Sequence, residues 1–233
     1  MIDCLAFSPH PDDAELFCGG FLLKTKAAGK RTAVVDLTRG ALSTNGDVKL
    51  RAREAKKASG ILELNARRNL DLDDGNITNT VEARFKIISI IREFRPSVCL
   101  VPYWQDRHPD HESSSMLVRQ ALFYSGLPKI ETGTNAHRPD KILFYMLHMP
   151  FQPSLVVDIS GVFEQKMKAI RSYKSQFYQR TEGTSSTYIN QGDFLESIEI
   201  RARYFGQLAG CRYGEPFYIR ELLKVDNILQ FFA

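Results

Sequence analysis

At 233 residues, with 43% hydrophobic and 25% charged residues, the chain has the composition of a soluble globular protein and reads as one α/β domain over residues 1–233, which excludes disordered, fibrous and collagen-like classes. The formal charge of +4 is carried by scattered Lys and Arg, so the sequence argues against nucleic acid and fits an anionic small molecule at least as well. With no apolar run near the roughly 20 residues needed to span a bilayer, no secretory signal pattern, and no C-x-x-C pair among Cys4, Cys18, Cys99 and Cys211, a cytoplasmic protein with no membrane partner is expected.

In chain order, Ile2 to Phe7 predicts a first strand, Gly19 to Ala28 a helix ended by Gly29, and Arg31 to Leu37 a second strand. Leu37 to Gly46 is a loop rich in turn residues. Leu50 to Ser59 predicts a charged helix stopped by Gly60, Ala66 to Leu70 a short strand, and DLDDGN an acidic turn. Val81, Phe85, Ile88, Ile91 and Phe94 recur at near-helical spacing up to Pro96. Ser97 to Tyr103 is a buried-type strand, followed by WQDRHPDHE. Further on, helices are expected at about 114–124, 162–173 and 194–206, strands near 141–146 and 155–159, and a polar loop at GTSSTYINQG. Strands alternating with helices predict βαβ units and a Rossmann-like, mainly parallel sheet flanked by helices.

Open sheets of this kind bind ligands beyond the carboxyl ends of their strands. Two histidine clusters stand at such ends, His10-Pro11-Asp12-Asp13 after the first strand and His108-Pro109-Asp110-His111 after the strand at Ser97 to Tyr103. Catalytic zinc takes three protein ligands from imidazole nitrogen and carboxylate oxygen and keeps one position open. His10, Asp13 and one histidine of the second cluster satisfy that set. Asp12 is then a candidate base, and the remaining histidine is free to act on a substrate. A competing explanation for either tetrapeptide alone is a turn with an N-cap carboxylate. The other cluster-free histidines, His137 and His148, have no ligand partners nearby in sequence and are assigned to surface or packing.

At these residues the chain resembles the PIG-L/LmbE family of zinc-dependent N-acetylglucosamine deacetylases. The resemblance runs from SPHPDD through DLTRG, LRAREA and DRHPDH to VVDIS, YKSQF and FLESIEIRARYFG. Within the family the chain looks most like the bacillithiol-biosynthesis deacetylases acting on N-acetylglucosaminyl-malate, through DLTRGALSTNG, GLPKIETG, HRPDKILFY and SQFY. The resemblance implies an LmbE-like fold, zinc held by His10, Asp13 and His111, and Asp12 as general base for the attacking water. It implies that His108 faces the substrate carbonyl, stabilises the developing oxyanion and helps protonate the leaving amine, and that Asp110 orients His108. Arg51 matches an arginine that contacts sugar hydroxyls, against the alternative of a solvated helix residue. Asp74 matches a substrate-side aspartate, with Asp73 as the adjacent register and a turn role as the alternative for both. A malate aglycone needs a basic contact, for which Arg39 and Arg107 are candidates by position. Iron(II) suits the same ligands, and a homo-oligomer, in the family pattern a hexamer, is implied. Deacetylation of GlcNAc or chito-oligosaccharides, cleavage of a thiol-conjugate amide, and a non-catalytic metal-binding module are the alternatives.

Overall fold

The computed structural model describes residues 1–177 and 186–227. Tyr178 of SQFY and the first three residues of GTSSTYINQG lie outside the described residues. The strands are β1 (Cys4–Ser8), β2 (Thr32–Thr38), β3 (Ala66–Leu72), β4 (Val98–Pro102), β5 (Lys141–Tyr145), β6 (Leu155–Asp158) and β7 (Gly214–Tyr218). They form one sheet in the order β3-β2-β1-β4-β5-β7-β6. The first five run parallel, with Leu5 paired to Ala33 on one side and to Cys99 on the other. β7 is antiparallel to both β5 and β6, so the sheet is α/β and mostly parallel.

Side chains alternate along each strand, and this divides the core between two faces. Cys4 and Ala6 of β1 pack with α1 (Asp13–Ala27), α2 (Val48–Ile61), α5 (Phe163–Ile170) and, beyond the short α6 (Lys174–Phe177), α7 (Phe194–Ala209). Leu5 and Phe7 pack on the other face with α3 (Val81–Phe94) and α4 (Pro109–Ser125). Full burial of a side chain such as Phe7 or Ile87 contributes roughly 1.5–3 kcal/mol. The chain leaves β1 for one face and β4 for the other, so a crevice opens between their carboxyl ends.

Three expectations are corrected here. α1 begins at Asp13 and α4 at Pro109, several residues earlier than their hydrophobic patterns suggest, because the first turn of each carries polar residues of the HPDD and HPDH motifs. In α3 the buried face is Ile87, Ile88, Ile91 and Phe94, while Val81 and Phe85 are exposed. β7 is a strand that the sequence pattern does not announce, since Pro216 in its centre lacks the N–H a ladder uses.

Candidate active site

The turn after β1 is set by short local bonds. Ser8 Oγ donates to the His10 carbonyl at 2.6 Å and accepts from Ala14 N at 3.1 Å. Asp13 Oδ2 accepts from the His10 backbone N–H at 2.9 Å and lies 3.1 Å from His10 Nδ1. Asp12 takes the N-cap position of α1 but makes no capping bond. Its carboxylate is buried against Arg51, Nη1 to Oδ2 2.8 Å, and Arg51 also binds the Pro11 carbonyl and Ser43 Oγ. Arg51 is therefore a buried site residue rather than a solvated one.

The second motif arrives from β4. His108 is the N-cap of α4, with Pro109 at the first helical position, and its Nδ1 accepts the Asp110 backbone N–H at 3.2 Å. A neutral His108 ring accepting at Nδ1 carries its proton on Nε2. His111 Nε2 lies 3.4 Å from Asp13 Oδ2, and the three rings of His10, His108 and His111 sit with centroids 4.8–5.4 Å apart. The two motifs, about a hundred residues apart, meet in one cavity of about 400 Å³.

Three groups of His and Asp among the described residues bring donor atoms within 4.8 Å of one another: His10–Asp13–His111, His10–His108–Asp110 and Asp106–His111–His148. The first fits a metal best. All three of its residues line the cavity, and they offer two imidazoles and a carboxylate, the donor set of an open zinc or iron(II) site. The carboxylates of the other two groups are spent. Asp106 accepts from His111 Nδ1 (2.8 Å) and from the backbone N–H groups of His108, His148 and Met149. Asp110 accepts from Gly75 and Ile77 N–H.

The electrostatics follow from this packing. Burial pushes the Asp12 carboxyl up to about 7, with Asp13 adding to the effect and Arg51 and His10 opposing it. For Asp13 burial also raises, but the His111 charge and hydrogen bonds from His10 and His111 outweigh it and the carboxyl stays well below its usual range. Burial, then His10 and His111, lower His108.

Asp110 was expected to orient His108 through its carboxylate. That carboxylate lies 3.3 Å from His10 Nε2 and accepts the Gly75 N–H, and the Asp110 backbone N–H donates to His108 Nδ1. Asp74 faces the site, 3.2 Å from His10 Nε2 and accepting from Leu42 N at 2.6 Å, whereas Asp73 is exposed and forms the turn. Arg107 lines the cavity with its guanidinium 4.3 Å above the Tyr188 ring; Arg39 is exposed, paired to Asp71 and outside the lining. His137 binds the Pro96 carbonyl, a packing role. His148, assigned to surface or packing, proves to line the cavity, its ring parallel to His111 at 5.5 Å, and burial followed by the His111 charge lowers it to about 4. The missed signal was its place just past the end of β5, at the same sheet edge as the two motifs. Asp106 was missed because an acidic residue between a strand and HPDH has no sequence pattern of its own.

Comparison with known proteins gives this geometry a family. Residues 5–122, just over half of the chain, match the PIG-L model, described as GlcNAc-PI de-N-acetylase. The chain belongs to the PIG-L family. The matched PIG-L segment includes both histidine motifs, Arg51 and Asp74. Across 226 residues the PIG-L chain is 32% identical to the diacetylchitobiose deacetylase of Thermococcus kodakarensis, covering 91% of this chain and 80% of that one. Its fold superposes on a conserved protein from Thermus thermophilus with a TM-score of 0.88 and 37% identity, over 97% of this chain and 98% of that one. It also matches N,N'-diacetylchitobiose deacetylase from Pyrococcus horikoshii, solved with its inhibitor MPG, with a TM-score of 0.80 and 26% identity over 93% and 83% of the two chains. This PIG-L protein is thus a member of a deacetylase family. Among the described residues, no helix is long and apolar enough to cross a membrane.

Proposed function

We propose that this chain, acting as one catalytic domain, is a metal-dependent hydrolase that removes the acetyl group from an N-acetylglucosamine-type substrate. One observation carries the proposal: His10, Asp13 and His111 converge on a cavity wall beside the buried Asp12. These three residues would hold zinc, or iron(II) where it is the available ion. A divalent ion bound there supplies Lewis acidity, which polarises a carbonyl and acidifies water.

The chain's own residues do the rest. Asp12, its carboxyl raised to about 7 by burial, takes a proton from the attacking water, and a base near the working pH is effective in that role. Arg51 fixes the Asp12 carboxylate in place at 2.8 Å. The neutral His108 ring, accepting at Nδ1, presents Nε2–H to the carbonyl oxygen as charge builds there; removing one such donor typically costs about 3–4 kcal/mol. The proton for the departing amine is then returned by Asp12. Asp110 and Asp74 hold His10 and the adjoining loops in position.

Two substrates are favoured by different observations. Arg107 in the cavity wall supports a carboxylate-bearing aglycone, as in N-acetylglucosaminyl-malate. The likeness to diacetylchitobiose deacetylases supports a chito-oligosaccharide. Free amine and acetate measured from N-acetylglucosaminyl-malate, diacetylchitobiose and GlcNAc separate them: the malate compound fastest, with Arg107→Ala raising its KM alone, supports the first, and diacetylchitobiose fastest supports the second. Hydrolysis of none would overturn the proposal. Four unpaired cysteines fit a cytoplasmic setting. A homo-oligomer, hexameric in the family pattern, belongs to the same reading, and Ile200, Tyr204 and Leu208, exposed along α7, form an apolar stripe that assembly would cover.

A further inference from the structure

The chemistry above uses the metal donors, Asp12 and His108, and leaves another part of the same cavity without a task. Asn45, in the loop between β2 and α2, is 7% exposed and lines the cavity. Its backbone carbonyl accepts from Gln176 Nε2 at 3.0 Å, but its carboxamide pairs with no protein group among the described residues. Gln176 also lines the cavity. Its Nε2 is used twice, on the Asn45 carbonyl and on Ser175 Oγ at 2.9 Å, which leaves Oε1 without a partner among the described residues.

This pair is built in rather than draped on the surface. Glu54, buried in α2, accepts from Ser175 N at 2.8 Å and Ser175 Oγ at 2.6 Å, fixing α6 against α2. Gly46, at φ +79, carries the chain past Ser175, where an added Cβ would stand 2.9 Å from Ser175 Cβ. Gln176 is held on two sides and Asn45 is seated through its backbone, and the free polar atoms of both stand at the cavity wall, open to water that an entering polar group would displace.

The chemistry of this wall selects the ligand. A carboxamide offers N–H donors on one atom and an acceptor oxygen on the other, the complement of a hydroxyl, which both donates and accepts. The free Gln176 oxygen only accepts, so it disfavours a carboxylate and suits a hydroxyl or amide N–H. We infer that Asn45, seated by Gln176, reads a ring hydroxyl of the sugar, and that this wall takes the neutral pyranose while the Arg107 wall takes an anionic group of the aglycone. The inference rests on the N-acetylglucosaminide reading above.

The test is a cycle between protein and substrate. Metal-loaded wild type and Asn45→Ala are compared on the N-acetylglucosaminide that the wild type hydrolyses best and on analogues lacking one ring hydroxyl at a time. For one analogue, the wild type should lose on the order of 10- to 100-fold in kcat/KM. Asn45→Ala should lose a similar factor on the parent sugar and little more on that analogue, so the two losses do not multiply. A purely structural role for Asn45 lowers every substrate alike, the losses multiply for every analogue, and the inference is overturned. Should Asn45→Ala fail to fold, Asn45→Ser is carried through the same cycle. A wild type that hydrolyses no N-acetylglucosaminide sinks the functional reading and this inference together, whereas an active wild type with multiplying losses sinks this inference alone.

Discussion

Asp12 holds two unusual properties at one position. It is a buried carboxylate, and its backbone sits at φ 143, ψ −26, a region that L-residues rarely adopt. Such strain costs of order 1–3 kcal/mol and persists only where surrounding structure imposes it. Asp12→Gly and Asp12→Ala both leave Arg51 without its partner, so their difference isolates the backbone: the glycine variant should unfold at higher urea concentration, by about 1–2 kcal/mol. Equal midpoints would mean the backbone is unstrained. Neighbouring side chains should separate in another readout. Asp13→Ala should lose bound metal, while Asp12→Asn and His108→Ala should retain it, by elemental analysis, and lose turnover by about 100-fold or more. At this scale the sequence made HPDD and HPDH legible because histidine and aspartate crowd two short turns. It did not expose His148 or Asp106, whose relevance comes from stacking and bonding to His111 across the fold.

The site's elements are helices whose first turns do the chemistry. α1 and α4 each begin inside a motif, and their first-turn N–H groups are met by motif neighbours, Ala14 N–H by Ser8 Oγ and Asp110 N–H by His108 Nδ1. Apolar recurrence up to Pro96 located α3 from the sequence because its C-terminal half, Ile88, Ile91 and Phe94, keeps the helical spacing on the buried face, although Val81 and Phe85 are exposed. Such recurrence could not locate the first turns of α1 and α4, where function displaces the apolar pattern. α3 provides a control remote from the cavity: Thr80 caps it by accepting Ala83 N–H at 3.1 Å. Thr80→Ala should cost about 1 kcal/mol of unfolding free energy and leave kcat/KM unchanged; an equal loss of activity would show that α3 is coupled to the site.

For the whole molecule, the alternation of strands and helices conveyed the parallel sheet and placed both motifs at its carboxyl edge. The order of strands and the insertion of β7 between β5 and β6 depend on pairings between residues far apart in sequence, such as Val156 with Pro216. A buried ionic cluster ties the layers together: Arg67 of β3 binds Asp36 of β2 through two nitrogens at 2.7 Å each and Glu15 of α1 at 2.5 Å. Arg67→Met leaves buried Asp36 without a side-chain partner and Glu15 with only the Tyr173 hydroxyl at 3.0 Å, and should cost about 3–5 kcal/mol. Burial already holds Asp36 above its ordinary range despite Arg67. Without the guanidinium that pKa rises further, so the folded variant binds more protons than the unfolded chain. Its stability therefore falls as pH rises, and the deficit should be larger at about pH 8 than at about pH 5. A deficit independent of pH would assign the loss to packing instead.

The most direct test of the central claim is acetate release in heavy-oxygen water, followed on diacetylchitobiose and N-acetylglucosaminyl-malate with protein stripped of metal by chelation and then reloaded. Hydrolysis at this centre yields acetate carrying one heavy oxygen atom, formed only by the reloaded protein and not by its Asp13→Ala variant. Undiminished release after complete removal of metal, or acetate without the heavy atom, would contradict a hydrolytic metal centre built on His10, Asp13 and His111.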